Sequence, residues 1–552
     1  MTPAELAQIF PLGPDSLKQP DVPVGRVEKC EFNSSRIYPG TVRDYWVYVP
    51  AQYRPTKAAC VLVVQDGHDH LFAGRWNTAV VLDNLIHQKA MPVTIGVFIN
   101  PGKIPPARAG GMTRDNRSFE YDSAGDRYAR FVLEEILHVV AARFKLRTDG
   151  NSRAIMGGSS GGFCSLNAAW CRPDAFQRVV SMVGSFTPMR GGHSLAAQVR
   201  LTEAKPLKVF LQGGAQDLDV ANGNWWTANL EMLSALQFAG YDVQHVWDER
   251  AGHNEFHCNM ICPDALRWVW QDYPKKIVAR GGANQPITRI LAPQKKWRRI
   301  LADRVKVGAI TTDAKGTFYF VDTTAQTICR LEAGERVTVL AKAIPDVSAL
   351  AVGDDGTVYM AQPKSKRVMR VRGFGRPKVH SAGVEVTGIC AAKDGQLYAT
   401  ESTKHRVLRL AADGTVRVVT RAVQQPIVVR RSIDSSQLII ASARGNDAWL
   451  GRITPDGNLE CVEPFMYFDR AIQRAHHRCD DLVVTRPGWT IAALEDGLMI
   501  NNQNGLPSGF LPVASGSPTV LALGGPRGDQ LFMVVEGKLH VRRIRLLPTL
   551  WL

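Results

Sequence analysis

Long apolar runs are missing from this 552-residue sequence, and none reaches the ~18 residues that a membrane helix needs. The N-terminal segment, MTPAELAQIFPLGPDSLKQP, has no basic stretch followed by an apolar core, so no signal peptide is visible. We therefore expect no membrane partner. As the sequence stands we expect a cytoplasmic protein, and a periplasmic or secreted one if a leader was removed.

Paired cysteines are also missing. Ten cysteines are spread from Cys30 to Cys479 without a C-x-x-C pair, and Cys258 and Cys262 are one of the two closest pairs. This spacing excludes a zinc ribbon and argues against a disulfide framework. We expect mostly reduced, buried thiols.

The formal net charge of +16 invites a nucleic-acid interpretation, but concentrated basic segments are scarce. The densest cluster, KKWRR at 295–299, falls in a segment that we interpret as a linker. Scattered charge favours a solvated surface or an affinity for acidic polymers. We expect no nucleic-acid partner.

Strand-like and helix-like segments alternate up to about residue 275. Apolar runs such as CVLVVQDG (60–67) and LKVFLQGG (207–214) are separated by amphipathic stretches such as DRYARFVLEEILHVVAARF (126–144). This alternation predicts a mostly parallel sheet with helices on both faces. Residues 276–300 are rich in Gly, Pro and basic residues and lack clear periodicity, which predicts a linker between domains at 1–275 and 301–552.

From about residue 305, short β-runs repeat with a period near 40 residues. Tyr319, Tyr359 and Tyr398 occupy one repeat position, and weaker copies follow at 433–457, 485–505 and 525–544. Several short strands per repeat at this period are typical of propeller blades. The sequence therefore predicts an all-β propeller of six blades, with a β-solenoid as the alternative.

A glycine-rich corner, GGSSGG at 157–162, lies between a strand candidate (153–158) and a helix candidate. It satisfies G-x-S-x-G, the pattern of a nucleophile elbow in which the serine projects above the sheet edge. A phosphate-binding P-loop is excluded because no lysine follows the glycines. The corner also comes too late in the chain for a dinucleotide site.

A serine nucleophile needs a base and an orienting acid, which in α/β hydrolases follow in the order Ser, Asp or Glu, His. Asp217 and Asp219 come just past one strand candidate, and His253 follows the next. Each could instead be an ordinary loop residue, but the order favours a catalytic triad. A zinc site at His253 and His257 is the rival, and it lacks the glutamate of H-E-x-x-H.

The first half resembles the esterase D and enterochelin-esterase-like branch of the α/β hydrolases, which includes feruloyl and other carbohydrate esterases. The segments that carry the resemblance are PGTVRDYWVYVP, VLVVQDG, NRSFEYD, GDRYARFVLEEIL, GGSSGG, LQGGAQDLD and GHN followed by PDALRW. The resemblance implies Ser159 as nucleophile, Asp217 as acid and His253 as base, with Asp219 as a possible neighbour. A hydrolase of this kind needs no metal or organic cofactor.

The oxyanion hole requires two backbone N–H donors. One is expected at Ser160, which follows the nucleophile, and the other at Gly67 or His68. Further residues either line the substrate pocket or pack its loops and cap helices; these are Arg117, Glu120, Asp122, Trp225 and Trp226.

The second half resembles the six-bladed gluconolactonase and regucalcin family, in which a Glu, two Asn and an Asp hold a divalent metal. The matching positions here read Val307-Gly308-Ala309, Thr387, Pro426-Ile427-Val428 and Asp480. One carboxylate is too few for a catalytic divalent ion. We expect a degenerate site without metal.

These patterns predict a serine carboxylic-ester hydrolase that acts through an acyl-enzyme. The resemblance implies a small-molecule or saccharide ester as its substrate, an ester of a sugar or of a phenolic acid. Two alternatives remain, a metal-dependent sugar lactonase in the propeller and a non-catalytic carbohydrate-binding protein.

Overall fold

The structure, a computed structural model, describes residues 1–72, 76–108, 110–292, 296–301, 305–468, 478–513 and 516–545. The chain divides into two compact units. The first contains Met1–Arg200 and Ala204–Asn284, and the second contains Leu201–Glu203 and the described residues from Gln285 onward. Among these residues, no helix is both long and apolar enough to cross a membrane.

An eight-stranded sheet forms the centre of the first unit. Its strands are β1 Arg26–Phe32, β2 Arg43–Val49, β3 Cys60–Gln65, β4 Thr94–Ile99, β5 Arg153–Gly158, β6 Arg178–Met182, β7 Lys208–Gln216 and β8 Asp242–Gly252, in the spatial order β1-β2-β4-β3-β5-β6-β7-β8. β1 pairs antiparallel with β2, and β2 pairs antiparallel with β4. All the other pairings in this sheet are parallel. The predicted mostly parallel sheet is confirmed.

Helices cover both faces of this sheet. Their bounds are α1 Pro3–Ile9, α2 Gly67–Phe72, α3 Thr78–His87, α4 Arg117–Tyr121, α5 Arg127–Phe131, α6 Leu137–Ala141, α7 Ser160–Cys171, α8 Ser194–Leu201, α9 Trp225–Phe238 and α10 Glu255–Trp270, with a π-helical turn at Val132–Ile136. A further helix, α11 Pro286–Ile290, belongs to the second unit. On one face α3 and α10 bury Leu82 and Ile261. On the other face α7 and α9 bury Phe163 and Met232. This is the α/β arrangement that the alternating pattern predicted.

The parallel strands bring distant parts of the chain to one edge of the sheet. β3 is buried along its whole length, as expected for a parallel strand covered on both faces. Because β3, β5, β7 and β8 all run in the same direction, the loops that follow them meet at the same edge. Ligands bind at this edge in α/β folds.

The second unit consists of six four-stranded antiparallel sheets, and the predicted six-bladed propeller is confirmed. From the innermost strand outwards, the blades contain Val307–Thr312, Phe318–Asp322, Thr327–Leu331 and Val337–Ala341; Ala349–Val352, Thr357–Gln362, Arg367–Arg372 and Lys378–Ala382; Gly388–Ala391, Leu397–Glu401, Arg406–Leu410 and Val416–Thr420; Pro426–Arg431, Gln437–Ser442, Asp447–Ile453 and Leu459–Tyr467; Asp481–Val484, Thr490–Leu494, Gly497–Asn501 and Pro507–Pro512; and Pro518–Gly524, Gln530–Val535, Lys538–Arg543 and Arg298–Ile300.

The ring of blades is closed by both ends of the unit. Each innermost strand contacts the innermost strand of the next blade, and the sixth contacts the first. The outer strand of the sixth blade is Arg298–Ile300, which pairs antiparallel with Lys538–Arg543. Part of the segment 276–300, interpreted above as linker, is therefore regular structure; its residues 293–295 lie outside the described part.

All ten cysteines lie in the described part of the chain and are free thiols. Most are buried, and Cys461 is exposed. Burial raises the pKa of the Cys258 thiol, which keeps it protonated and unreactive at neutral pH.

Candidate active site

Ser159 occupies a strained turn between β5 and α7. Its backbone has φ 57° and ψ −123°, a conformation that non-glycine residues rarely adopt, and its N–H donates to Met182 O at 2.9 Å. The surrounding glycines allow strand and helix to approach. A Cβ on Gly157 would lie 2.7 Å from the carbonyl carbon of Gly161, and one on Gly161 would lie 3.1 Å from Gln65 Cβ. The geometry is that of a nucleophile elbow.

Three side chains from three loops meet at this turn. His253 Nε2 lies 2.8 Å from Ser159 Oγ, and His253 Nδ1 lies 2.6 Å from Asp217 Oδ1. An ionised carboxylate can only accept, so Nδ1 carries the proton and Nε2 accepts from the Ser159 hydroxyl. Asp217 Oδ1 also accepts from Leu218 N at 2.7 Å, and the Asp217 side chain is only 1% exposed.

Asp219, the other aspartate that the sequence left open, does not take part. It lies in a two-residue ladder, where Asp219–Val220 pairs with Gly223–Asn224, and it is exposed. The structure therefore brings Ser159, His253 and Asp217 together, and these are the residues that the resemblance selected.

Two backbone donors lie at helix N-termini on this edge of the sheet. Ser160 is the first residue of α7 and Gly67 the first of α2, and neither N–H has a hydrogen-bond partner in the described part of the chain. His68 N, by contrast, already donates to Asn100 Oδ1 at 2.9 Å. A Cβ on Gly67 would lie 2.4 Å from the carbonyl carbon of Phe98, so only glycine fits there. Of the three candidates, Ser160 and Gly67 thus have backbone N–H groups without a partner in the described residues.

Most of the first unit matches the model of a known protein family. Residues 38–264 match the family model described as "Putative esterase". We call residues 38–264 the esterase domain, after the model that they match. A relative, the uncharacterized protein YjcH of Bacillus subtilis (strain 168), is 26% identical over 237 residues, which cover 40% of this chain and 92% of that protein.

Solved structures resemble each unit. An enterobactin esterase from Shigella flexneri is 20% identical, with a TM-score of 0.37, over 47% of this chain and 63% of its own. A gluconolactonase from Xanthomonas campestris is 16% identical, with a TM-score of 0.41, over 47% of this chain and 92% of its own. The family match confirms the predicted resemblance of the first half to esterases.

The esterase domain places a second hydroxyl beside that of Ser159. Ser185 Oγ lies 3.4 Å from Ser159 Oγ and accepts from the indole N–H of Trp225 at 3.1 Å. The Trp225 ring also packs edge-on against His253, with centroids 5.9 Å apart. Trp225 thus supports the triad from a buried position, whereas Trp226 packs against Trp247.

Sequence reasoning missed Ser185 entirely. It lies just after β6, within the apolar run RVVSMVGSF. The only signal for Ser185 was that β6 neighbours β5, so that a residue just after β6 lies at the same edge of the sheet as Ser159.

Arg117 of the esterase domain is held by Asp66, the residue before Gly67. Its Nε and Nη2 donate to the two Asp66 carboxylate oxygens at 2.9 and 2.8 Å. Burial lowers the pKa of Arg117, but this ion pair outweighs the effect and holds the pKa above its usual value. The Arg117 side chain is 34% exposed, so one edge stays open to a ligand. Asp66 was not singled out from the sequence.

Glu120 and Asp122 are engaged within the esterase domain. Glu120 is fully buried and accepts from Arg43 Nη2 at 2.9 Å and from Asn116 Nδ2 at 2.8 Å. Asp122 is also fully buried, and its Oδ2 accepts from the Ser160 hydroxyl at 3.1 Å. Burial raises the pKa of the Asp122 carboxyl. Both carboxylates are thus buried and hydrogen-bonded within the protein.

His257, the partner in the rival zinc interpretation, is buried. It lies on α10, where Gln212 Nε2 lies 2.9 Å from its Nδ1 and Phe10 packs against its ring. Burial lowers the pKa of His257. No cluster of three potential metal ligands occurs in the described part of the chain.

The positions matched to the lactonase metal site do converge in the propeller. Ala309, Thr387, Ile427 and Asp480 line a cavity of about 90 Å³ at the end of the channel where the innermost strands begin. Among the described residues that line this cavity, only Asp480 and its neighbour Asp481 carry a carboxylate, and Asp481 is paired with Arg430 at 2.5 Å. A divalent ion needs several oxygen ligands, so these residues do not fit a catalytic metal.

Proposed function

We propose that the first unit is a serine carboxylic-ester hydrolase that works through an acyl-enzyme on Ser159. The observation that carries this proposal is the hydrogen-bonded chain from Ser159 Oγ through His253 to Asp217, with distances of 2.8 and 2.6 Å. Ser159 and His253 are half-buried, which leaves the hydroxyl within reach of an acyl group.

In the acylation step, Ser159 Oγ attacks the ester carbonyl carbon and its proton passes to His253 Nε2. Asp217 holds the ring and stabilises the imidazolium. Charge on the carbonyl oxygen is taken up by the N–H groups of Ser160 and Gly67, at the positive end of the 12-residue helix α7. His253 then protonates the leaving alcohol, and water releases the acid by the same steps in reverse.

Esters of sugars or of phenolic acids are the proposed substrates. This class is supported by the resemblance of the first half to feruloyl and carbohydrate esterases. A panel of sugar acetates, feruloyl esters and glucuronate esters tests it, and turnover confined to simple alkyl esters would contradict it.

Hydrolysis of p-nitrophenyl acetate tests the chemistry. We expect a burst of p-nitrophenol equal to the enzyme concentration, and a loss of at least ~10⁴-fold in kcat for Ser159→Ala. Ser160→Ala is the matched control, because it keeps the backbone N–H and removes only the hydroxyl that bonds Asp122. Undiminished turnover by Ser159→Ala would overturn the proposal.

A further inference from the structure

A second cavity lies in the propeller at the other end of its channel, where the innermost strands end and turn into the second strands. Its volume is about 320 Å³. Its walls are apolar on several blades, with Ile310, Leu350 and Ile389 among the lining residues, but they also include Arg430, Arg431 and Arg486. This cavity is separate from the positions matched to the lactonase metal site, although Arg430 lines both.

The arginines are an exception within the six-fold repeat. The six innermost strands can be aligned through the residues that they pair with on the second strand of each blade. At the last position of this alignment, blades one to six carry Thr312, Val352, Ala391, Arg431, Val484 and Leu523. At the preceding position the residues are Thr311, Ala351, Cys390, Arg430, Val483 and Ala522. Only the fourth blade carries a charge at either position. Arg486 lies in the hairpin of the fifth blade, which is its neighbour.

The positive charge in the cavity is only partly balanced. Arg430 is paired with Asp481. Neither Arg431 nor Arg486 has a carboxylate partner in the described part of the chain. Asp313 also lines the cavity, but its carboxylate is taken up by the N–H of Thr317 at 2.9 Å and the hydroxyl of Tyr319 at 3.2 Å. Two guanidinium groups are therefore left for an anion.

We propose that this cavity binds a small organic acid, with its carboxylate on Arg431 and Arg486 and an apolar body against the other blades. A guanidinium presents a planar fork that matches a carboxylate bidentately. The volume lies at the lower end of the ~300–1,000 Å³ range of ligand pockets, which suits an acid with a single ring.

Calorimetric titration of the full chain with benzoate tests the proposal, with benzyl alcohol as the uncharged analogue, glucuronate as an acid with a polar body, and inorganic phosphate as a bare anion. We expect benzoate to bind and benzyl alcohol not to bind. Glucuronate and phosphate should bind at least tenfold more weakly than benzoate. Equal binding of phosphate would overturn the apolar part of the proposal, and absence of benzoate binding at millimolar concentration would overturn all of it.

Variants locate the binding. Arg431→Gln and Arg486→Gln should each weaken benzoate binding at least tenfold. Arg372→Gln, at a side chain that is 73% exposed and outside the cavity, should bind like the parent protein. Arg486 is exposed, so its variant tests the site even if Arg431→Gln fails to fold. Unchanged benzoate affinity in Arg486→Gln would contradict the assignment. These variants should leave ester hydrolysis unaffected. Benzoate binding is measured without an ester substrate, so failure of the esterase proposal would leave this one standing.

Discussion

Replacing Asp217 by asparagine removes one negative charge and almost nothing else. Asp217 Oδ1 accepts from His253 Nδ1 at 2.6 Å and from Leu218 N at 2.7 Å, and the side chain is 1% exposed. A neutral amide does not stabilise the imidazolium. With its NH₂ group toward the ring, it also forces the proton onto Nε2, which then cannot accept from Ser159.

We expect Asp217→Asn to lower kcat by ~10³–10⁴, equivalent to about 4–5 kcal/mol of transition-state stabilisation. KM should change little because Asp217 does not face substrate. Asp219→Asn, two residues away and exposed, is the control and should change kcat less than twofold. Steady-state hydrolysis of p-nitrophenyl acetate measures both. A full-rate Asp217→Asn enzyme beside an inactive Asp219→Asn enzyme would refute the triad described here.

Three further predictions concern the same domain. Ser185→Ala should lower the free energy of unfolding by about 1–3 kcal/mol in urea titrations, because a buried indole N–H loses its acceptor; no change would contradict this. Gly157→Ala should cost about 1–3 kcal/mol and also impair hydrolysis, because its Cβ would lie 2.7 Å from Gly161 C; a variant as stable and active as the parent would disprove the close approach. Burial lowers the pKa of His70 in the folded chain to about 4. Between pH 6.5 and pH 4, His70 therefore binds a proton in the unfolded chain, where its pKa is near 6.5, but not in the folded chain. Stability should therefore fall by about 3 kcal/mol as the pH drops from 6.5 to 4, and His70→Gln should reduce that slope.

The sheet was predictable where its strands are apolar on both faces. CVLVVQ of β3 is buried throughout, and a nearly unbroken apolar run of this kind indicates a strand that is covered on both faces. β1, RVEKCEF, was missed because it is an edge strand of half-exposed and exposed residues, with four charged side chains among three apolar ones. Edge strands bury little, so hydrophobic patterning indicates them weakly.

The closing strand of the propeller was missed for a different reason. Arg298–Ile300 has only three residues, two of them charged, and its partner near Leu539 lies at the far end of the unit. Local pattern cannot report a pairing of such large sequence separation. The repeat itself was visible because Tyr319, Tyr359 and Tyr398 occupy equivalent buried positions on second strands.

For the site, the order of serine, aspartate and histidine was enough to select the three loops, because parallel strands bring their carboxyl ends together. The choice between Gly67 and His68 was not visible, since it depends on the Asn100 side chain from another strand end. The roles of Glu120 and Asp122 were equally hidden, because burial and partners such as Arg43 appear only in three dimensions.

Labelling with a fluorophosphonate, followed by peptide mass spectrometry, tests the central claim most directly. The reagent phosphonylates a serine only where a base and an oxyanion hole activate it. We predict one label per chain, on Ser159, retained in Ser160→Ala and lost in both Ser159→Ala and His253→Ala. Hydrolytically active protein that takes up no label, or takes it up at another residue, would contradict the account.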